Sequence, residues 1–228
     1  MQEILERNRA LLAQVDDWFA RCMTAHPEHI ACQGGCSGCC RGTFDITLLD
    51  AYYLKRGFDA LADEVKERVL VKCRQRLTLM RQQWPELDHP FVLNYRPEED
   101  WELLMPDEDE TPCVLLGEDG RCLVYQHRPM TCRLHGIPLV DTEGEVMHDE
   151  WCTMNFTAVD PLELPALTAP FDAIFTEEVA LFRDFTQKLL GQRVSELDTF
   201  IPLALMIDFD RFDWKRFNSP SPFGRGLG

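Results

Sequence analysis

The stretch CQGGCSGCC, Cys32 to Cys40, sets four cysteines into nine positions and spaces them with Gly34, Gly35 and Gly38. Glycine lets a backbone bend sharply enough to turn several side chains toward one point. Within the stretch, Cys36-Ser37-Gly38-Cys39 has the C-x2-C spacing by which a tight turn presents two thiolates to one metal ion. One such pair is weak on its own. The reading turns on how many of the remaining cysteines share its setting.

The chain has ten cysteines in 228 residues. Its first 23 residues carry charges throughout and lack the apolar core of a signal peptide. No later segment reaches the ~18 to 20 uninterrupted apolar residues that span a bilayer, so no membrane is expected and the expected location is the cytoplasm. Thiols stay reduced there, which favours metal ligands or redox groups over a disulfide framework. With 45% hydrophobic and 27% charged residues the composition is that of a globular protein. A net charge of -16 repels phosphate backbones, so nucleic acid is not an expected partner.

Outward from the loop the chain is mainly helical. Ile4, Leu11, Val15, Trp18 and Cys22 recur at helical spacing over residues 2 to 23, and Val65, Val69, Cys73, Leu77 and Met80 do so over about 59 to 83, with Asp59 as its expected cap. Cys22 and Cys73 fall on these apolar stripes and read as small buried hydrophobes. Between the two lies a short helix, LLDAYYLKR, opened by Thr47 and Asp50 and closed by Gly57. Residues 85 to 112 carry five prolines and read as irregular, with Asp107 to Glu110 as a solvated charge run. Gly117-Glu118-Asp119-Gly120 predicts a small β-hairpin, and a helical turn begins near Arg128-Pro129. A further helix carries Phe171 to Leu189 and ends at Gly191, and another covers about 195 to 206. IDFDRFDWKRF, before the tail, reads as an acidic face beside an apolar patch.

Eight cysteines remain outside the helical stripes: Cys32, Cys36, Cys39, Cys40, Cys113, Cys122, Cys132 and Cys152. They stand in loops or beside turn residues, and together they point to metal binding. Thiol redox cycling by Cys39 and Cys40, or by the C-x2-C pair, is the rival, but it leaves the other cysteines without a role. If Asp119-Gly120 forms a two-residue turn, Cys113 and Cys122 lie roughly 13 Å apart along one face, too far to share one zinc. Either the hairpin is irregular near Pro112 or the two serve different metal positions. Four thiolates on one zinc leave a local charge of -2, so cations or N–H donors are needed nearby. Arg41, Arg121 and Arg133 flank Cys40, Cys122 and Cys132, and Arg128 is close in sequence; all four are candidate donors to sulfur. His127, His135 and His148 are candidate substitute ligands.

The string C-x3-C-x2-C-C, then P-C, then DGRCLVYQHRPMTCR and a later lone cysteine, resembles the zinc- or iron-chelating cysteine-cluster proteins of the CxxCxxCC family over residues 32 to 152. Its most specific part is Cys122, Tyr125, Arg128, Pro129, Cys132 and Arg133. The resemblance implies eight cysteine ligands for zinc or iron. A related cluster in flagellin lysine methylases is associated with an iron-sulfur centre. The spacing of Cys32, Cys36 and Cys39 is also that of radical S-adenosylmethionine enzymes, which hold a [4Fe-4S] cluster. Those enzymes continue into repeated βα units and place an aromatic residue where Gly38 stands.

The expectation is one domain over residues 1 to 218, mainly α, with a small β-hairpin and irregular loops around a cysteine-ligated metal site, followed by a mobile tail, 219 to 228. The leading function is a metal-binding protein holding zinc or an iron-sulfur centre, with helices that offer a protein-partner surface. An iron-sulfur enzyme acting on protein side chains or in S-adenosylmethionine chemistry is the alternative. No P-loop, G-x-G-x-x-G or Ser-His-Asp arrangement supports hydrolysis or nucleotide binding.

Overall fold

Leu11, Leu12, Val15, Trp18 and Cys22 repeat every three or four residues, and in the computed structural model of the protein all five are buried on one face of the first helix. Burial of each large member of such a face contributes about 1.5–3 kcal/mol. The structure describes residues 1–106 and 108–217. The tail 219–228, and Asp107 of the acidic run, lie outside the described residues.

In chain order the elements are α1 (Gln2–Ala25), β1 (Asp45–Thr47), α2 (Leu48–Asp59), α3 (Asp63–Met80), α4 (Glu98–Glu102), α5 (Met130–Leu134), β2 (Leu139–Asp141), β3 (Val146–His148), β4 (Thr168–Ala169), α6 (Phe171–Leu190), β5 (Asp198–Phe200) and α7 (Ile201–Ala204). The chain is thus mainly α with two small sheets, ordered β1-β5 and β3-β2-β4. Among the described residues no helix is long and apolar enough to cross a membrane.

Two compact units form. The first takes Met1–Cys39, Asp119–Arg121 and Met130–Leu181; the second takes Cys40–Glu118, Cys122–Pro129 and the chain from Phe182 on. In the first, the indole of Trp18 stands edge-on to Phe171 at 4.9 Å and donates to the Leu167 carbonyl at 2.7 Å. Helix α5 is tied to α1 by the buried Arg133, which pairs with Asp16. The three-stranded sheet, which the sequence reading did not contain, pairs Leu139 with His148 and runs β2 parallel to β4.

In the second unit β1 pairs antiparallel with β5, Asp45 opposite Phe200 and Thr47 opposite Asp198. Thr47 caps α2, its hydroxyl accepting from the Asp50 amide. Gly57 does not close that helix. It lies within it because the chain approaches His127 there: an added Cβ would meet the imidazole at 2.5 Å. Asp59 ends α2 and pairs with Lys55, so α3 begins at Asp63 without a side-chain cap. Residues 85–112 are irregular except for α4, where Glu98, Glu99 and Asp100 place negative charge on the first turn and Trp101 is buried. The helix expected over 195 to 206 is a strand, Asp198–Phe200, and then one turn, because the strand finds its partner in β1. Helix α6 ends at Gly191, whose φ of +86° suits glycine.

Candidate metal centre

The adjacent cysteines of the opening loop part company. Cys39 belongs to the first unit and Cys40 to the second. Of the eight candidate ligands, the first unit holds Cys32, Cys36, Cys39, Cys132 and Cys152, and the second holds Cys40, Cys113 and Cys122. No disulfide joins any of the ten cysteines.

In the first unit the organising residue is Asn155, buried to 1% exposure. Its Oδ1 accepts from the Ala31 amide at 2.9 Å, and its Nδ2 donates to the Gly136 carbonyl at 2.7 Å and to Cys32 Sγ at 3.6 Å. The turn that places it is closed by the Asn155 amide donating to the Cys152 carbonyl at 2.8 Å. One amide side chain therefore joins three remote pieces of chain, each carrying or adjoining a candidate ligand. Gly136 has φ +108°, and a Cβ there would lie 3.8 Å from Cys152 Cβ and 3.9 Å from Cys32 Sγ. Burial pushes the Cys32 thiol up; the Asn155 hydrogen bond opposes this, and Cys36, Cys152 and Cys39 add to the rise. Four thiols thus share one neighbourhood. The turn at Asp119–Arg121 rests on the cysteine loop, since a Cβ on Gly120, at φ +76°, would strike the Gly35 carbonyl oxygen at 2.8 Å.

In the second unit the Cys113 amide donates to the Cys40 carbonyl and the Gly42 amide to that of Thr111, both at 2.9 Å, with an antiparallel bridge between Arg41 and Pro112. The expected hairpin is present only as one bridge, Leu116 with Cys122, reinforced by the Leu123 amide on the Leu115 carbonyl. This register differs by one residue from a two-residue Asp119-Gly120 turn. Immediately after Cys113 the chain turns, the Leu116 amide donating to the Cys113 carbonyl. The separation of roughly 13 Å expected for a regular ladder therefore does not apply. Cys122 instead lies near enough to raise the Cys113 thiol.

Each of these two sulfurs accepts a backbone amide from two residues on. Burial is the main cause that raises Cys113 and Cys122, and the amides of Leu115 and Val124, respectively, oppose it. Cations contribute as well. Arg128 favours the Cys122 thiolate, while Arg76 and Lys72 of α3 favour that of Cys113. Arg76 and Lys72 were missed in the sequence because they are remote from any cysteine motif. Their signal was the flanking of Cys73 on one helix.

The four expected arginines have different settings. Arg128 lies over the Tyr125 ring at 3.7 Å and donates to the Tyr125 carbonyl. Arg41 donates to the Glu110 carbonyl at 3.3 Å, and Arg133 pairs with Asp16. The Arg121 side chain is exposed. His127 stacks near Tyr53 at 4.9 Å, and His135 is held below the usual range by desolvation and by His148. Cys22 and Cys73 are fully buried, and burial pushes them up to about 11 and about 12. The acidic run is not wholly solvated: Asp109 is drawn inward to pair with Arg76 at 2.8 Å.

Among the described residues no three Cys, His, Asp or Glu side chains converge on one metal position. The cysteine-ligated metal site expected from the sequence is thus not shown among the described residues. The donor set itself suits a soft or borderline metal, being sulfur-rich, backed by N–H donors and near cations.

Residues 31–153 match the model of a family, CxxCxxCC, described as "Putative zinc- or iron-chelating domain". That description gives neither an iron-sulfur cluster, an enzymatic activity nor a cellular compartment. No curated protein and no solved structure matches the chain.

Proposed function

The chain belongs to the CxxCxxCC family, whose model covers residues 31–153, and on that premise we propose that it is a metal-binding protein whose cysteine thiolates hold zinc or iron. The ligands in this reading are Cys32, Cys36, Cys39, Cys132 and Cys152 of the first unit and Cys40, Cys113 and Cys122 of the second. The observation that carries it is Cys32, whose sulfur accepts from the buried amide of Asn155 and adjoins Cys152 beside Gly136, with Cys36 and Cys39 near enough to raise its thiol. That amide orients Cys32 and favours its thiolate. In the second unit the Leu115 and Val124 amides do the same for Cys113 and Cys122, and Arg128 and Arg76 offset the negative charge. When bound, the metal supplies a positive charge that makes thiolates the stable form and draws them together.

The test is anaerobic purification of the full chain with metal analysis and a visible absorption spectrum. Colourless protein with stoichiometric zinc selects zinc. Brown protein with iron and acid-labile sulfide selects an iron-sulfur centre. Protein free of both metals under anaerobic conditions overturns the proposal.

A further inference from the structure

The hairpin that joins β2 to β3 in the first unit carries none of the cysteines. Its segment TEGEVMHDE, Thr142 to Glu150, is exposed at every position, and a Cβ added to Gly144 near its tip would meet nothing within 4 Å. Its base, by contrast, is fixed. The buried Asp141 accepts from the Glu143 amide at 3.2 Å and from the Asp172 amide of α6 at 3.0 Å, and its own amide donates to the Glu145 carbonyl at 2.8 Å. An exposed arm is thus held in a set conformation, which lowers the ordering cost of a partner that lies along it.

Strand β3 is the outer member of the order β3-β2-β4, so among the described residues no strand lies along its outer edge. A free edge offers backbone N–H and C=O groups to an added strand. The pairing steps from His148 to Val146 across one residue of β2, which makes Met147 the extra residue of a bulge and keeps the usable edge short. Val146 and Met147 are 45% and 40% exposed, apolar surface that a covering strand would remove from water.

Charge decides what kind of strand fits. Glu143 and Glu145 stand before the edge and Asp149 and Glu150 after it, with no Lys or Arg in the segment. Among the described residues none of these four carboxylates forms an ion pair with Lys or Arg. Two such arms side by side would set carboxylate against carboxylate, and the net charge of -16 adds to that repulsion, so a second copy of the chain does not suit the edge. A strand with Lys or Arg on both sides of an apolar centre meets the carboxylates and covers Val146 and Met147.

We infer that the outer edge of β3 binds a short, extended, basic segment of a partner protein, added as a fourth strand along residues 146–148, with its cations beside Glu143, Glu145, Asp149 and Glu150. The inference goes beyond metal binding and does not depend on it.

The probe is the peptide acetyl-Lys-Arg-Val-Thr-Val-Arg-Lys-amide, titrated into the full-length protein and followed by amide chemical shifts and hydrogen exchange. Saturable shifts and slowed exchange are expected over residues 145–149. Glu143→Gln combined with Glu145→Gln, both at exposed positions, lowers affinity about three- to tenfold, and added salt weakens binding. The same peptide N-methylated at its three central residues keeps its charge but cannot form a ladder, so it loses most of its affinity. Absence of saturable shifts over residues 145–149 overturns the inference. So does equal affinity for the N-methylated peptide, equal affinity in the double variant, or a dimer of the protein that forms through residues 146–148 without peptide.

Discussion

Asn155 is the residue on which the first unit's cysteines depend. Replacement by Leu keeps the volume but removes the acceptor of the Ala31 amide and leaves the Gly136 carbonyl with only the longer bond from the Cys152 amide at 3.4 Å. Loss of a buried hydrogen-bond partner costs about 1–3 kcal/mol, so Asn155→Leu is expected to lose roughly that much in denaturant titration. A loss below about 0.5 kcal/mol would show that the amide does not hold the loop. The sequence disclosed the cysteines by their crowding but gave Asn155 no such mark. Its role arises from the meeting of residues 31, 136 and 155, and a single asparagine carries no periodicity or spacing to announce that.

At the scale of elements, the buried carboxyl of Asp198 on β5 sets a pH response. Burial first, then Glu196, Asp45 and Glu98, push it up to about 7, against the opposing hydrogen bond from Asn94. The folded state holds this proton more tightly than the unfolded chain, in which an Asp titrates near ~4. The associated stability is fully present below about pH 4 and is lost as pH rises through about 7. The melting temperature should therefore fall as pH rises from about 4 to about 7 and level off above that, and Asp198→Asn should flatten that fall. An unchanged slope in the variant would reject the assignment. Helices α1 and α6 were legible because their apolar faces run for five turns or more. Strands β1 and β5 were not, since three residues carry too little alternation and their pairing joins Asp45 to Phe200 across most of the chain.

Across the whole molecule, the division into two units separates cysteines by environment. Cys73 is enclosed in the second unit and reads as packing, whereas Cys152 adjoins Cys32 beside Gly136. Cys73→Ala should cost about 1 kcal/mol in stability and leave the metal per chain unchanged, while Cys152→Ala should lower it. Metal loss from Cys73→Ala equal to that from Cys152→Ala would redraw the ligand set. The most direct measurement is X-ray absorption at the zinc and iron edges of the anaerobically purified full chain. The expected result is a metal coordinated mainly by sulfur, at ~2.3 Å if the metal is zinc. A shell of nitrogen and oxygen alone, or no metal at either edge, would contradict it.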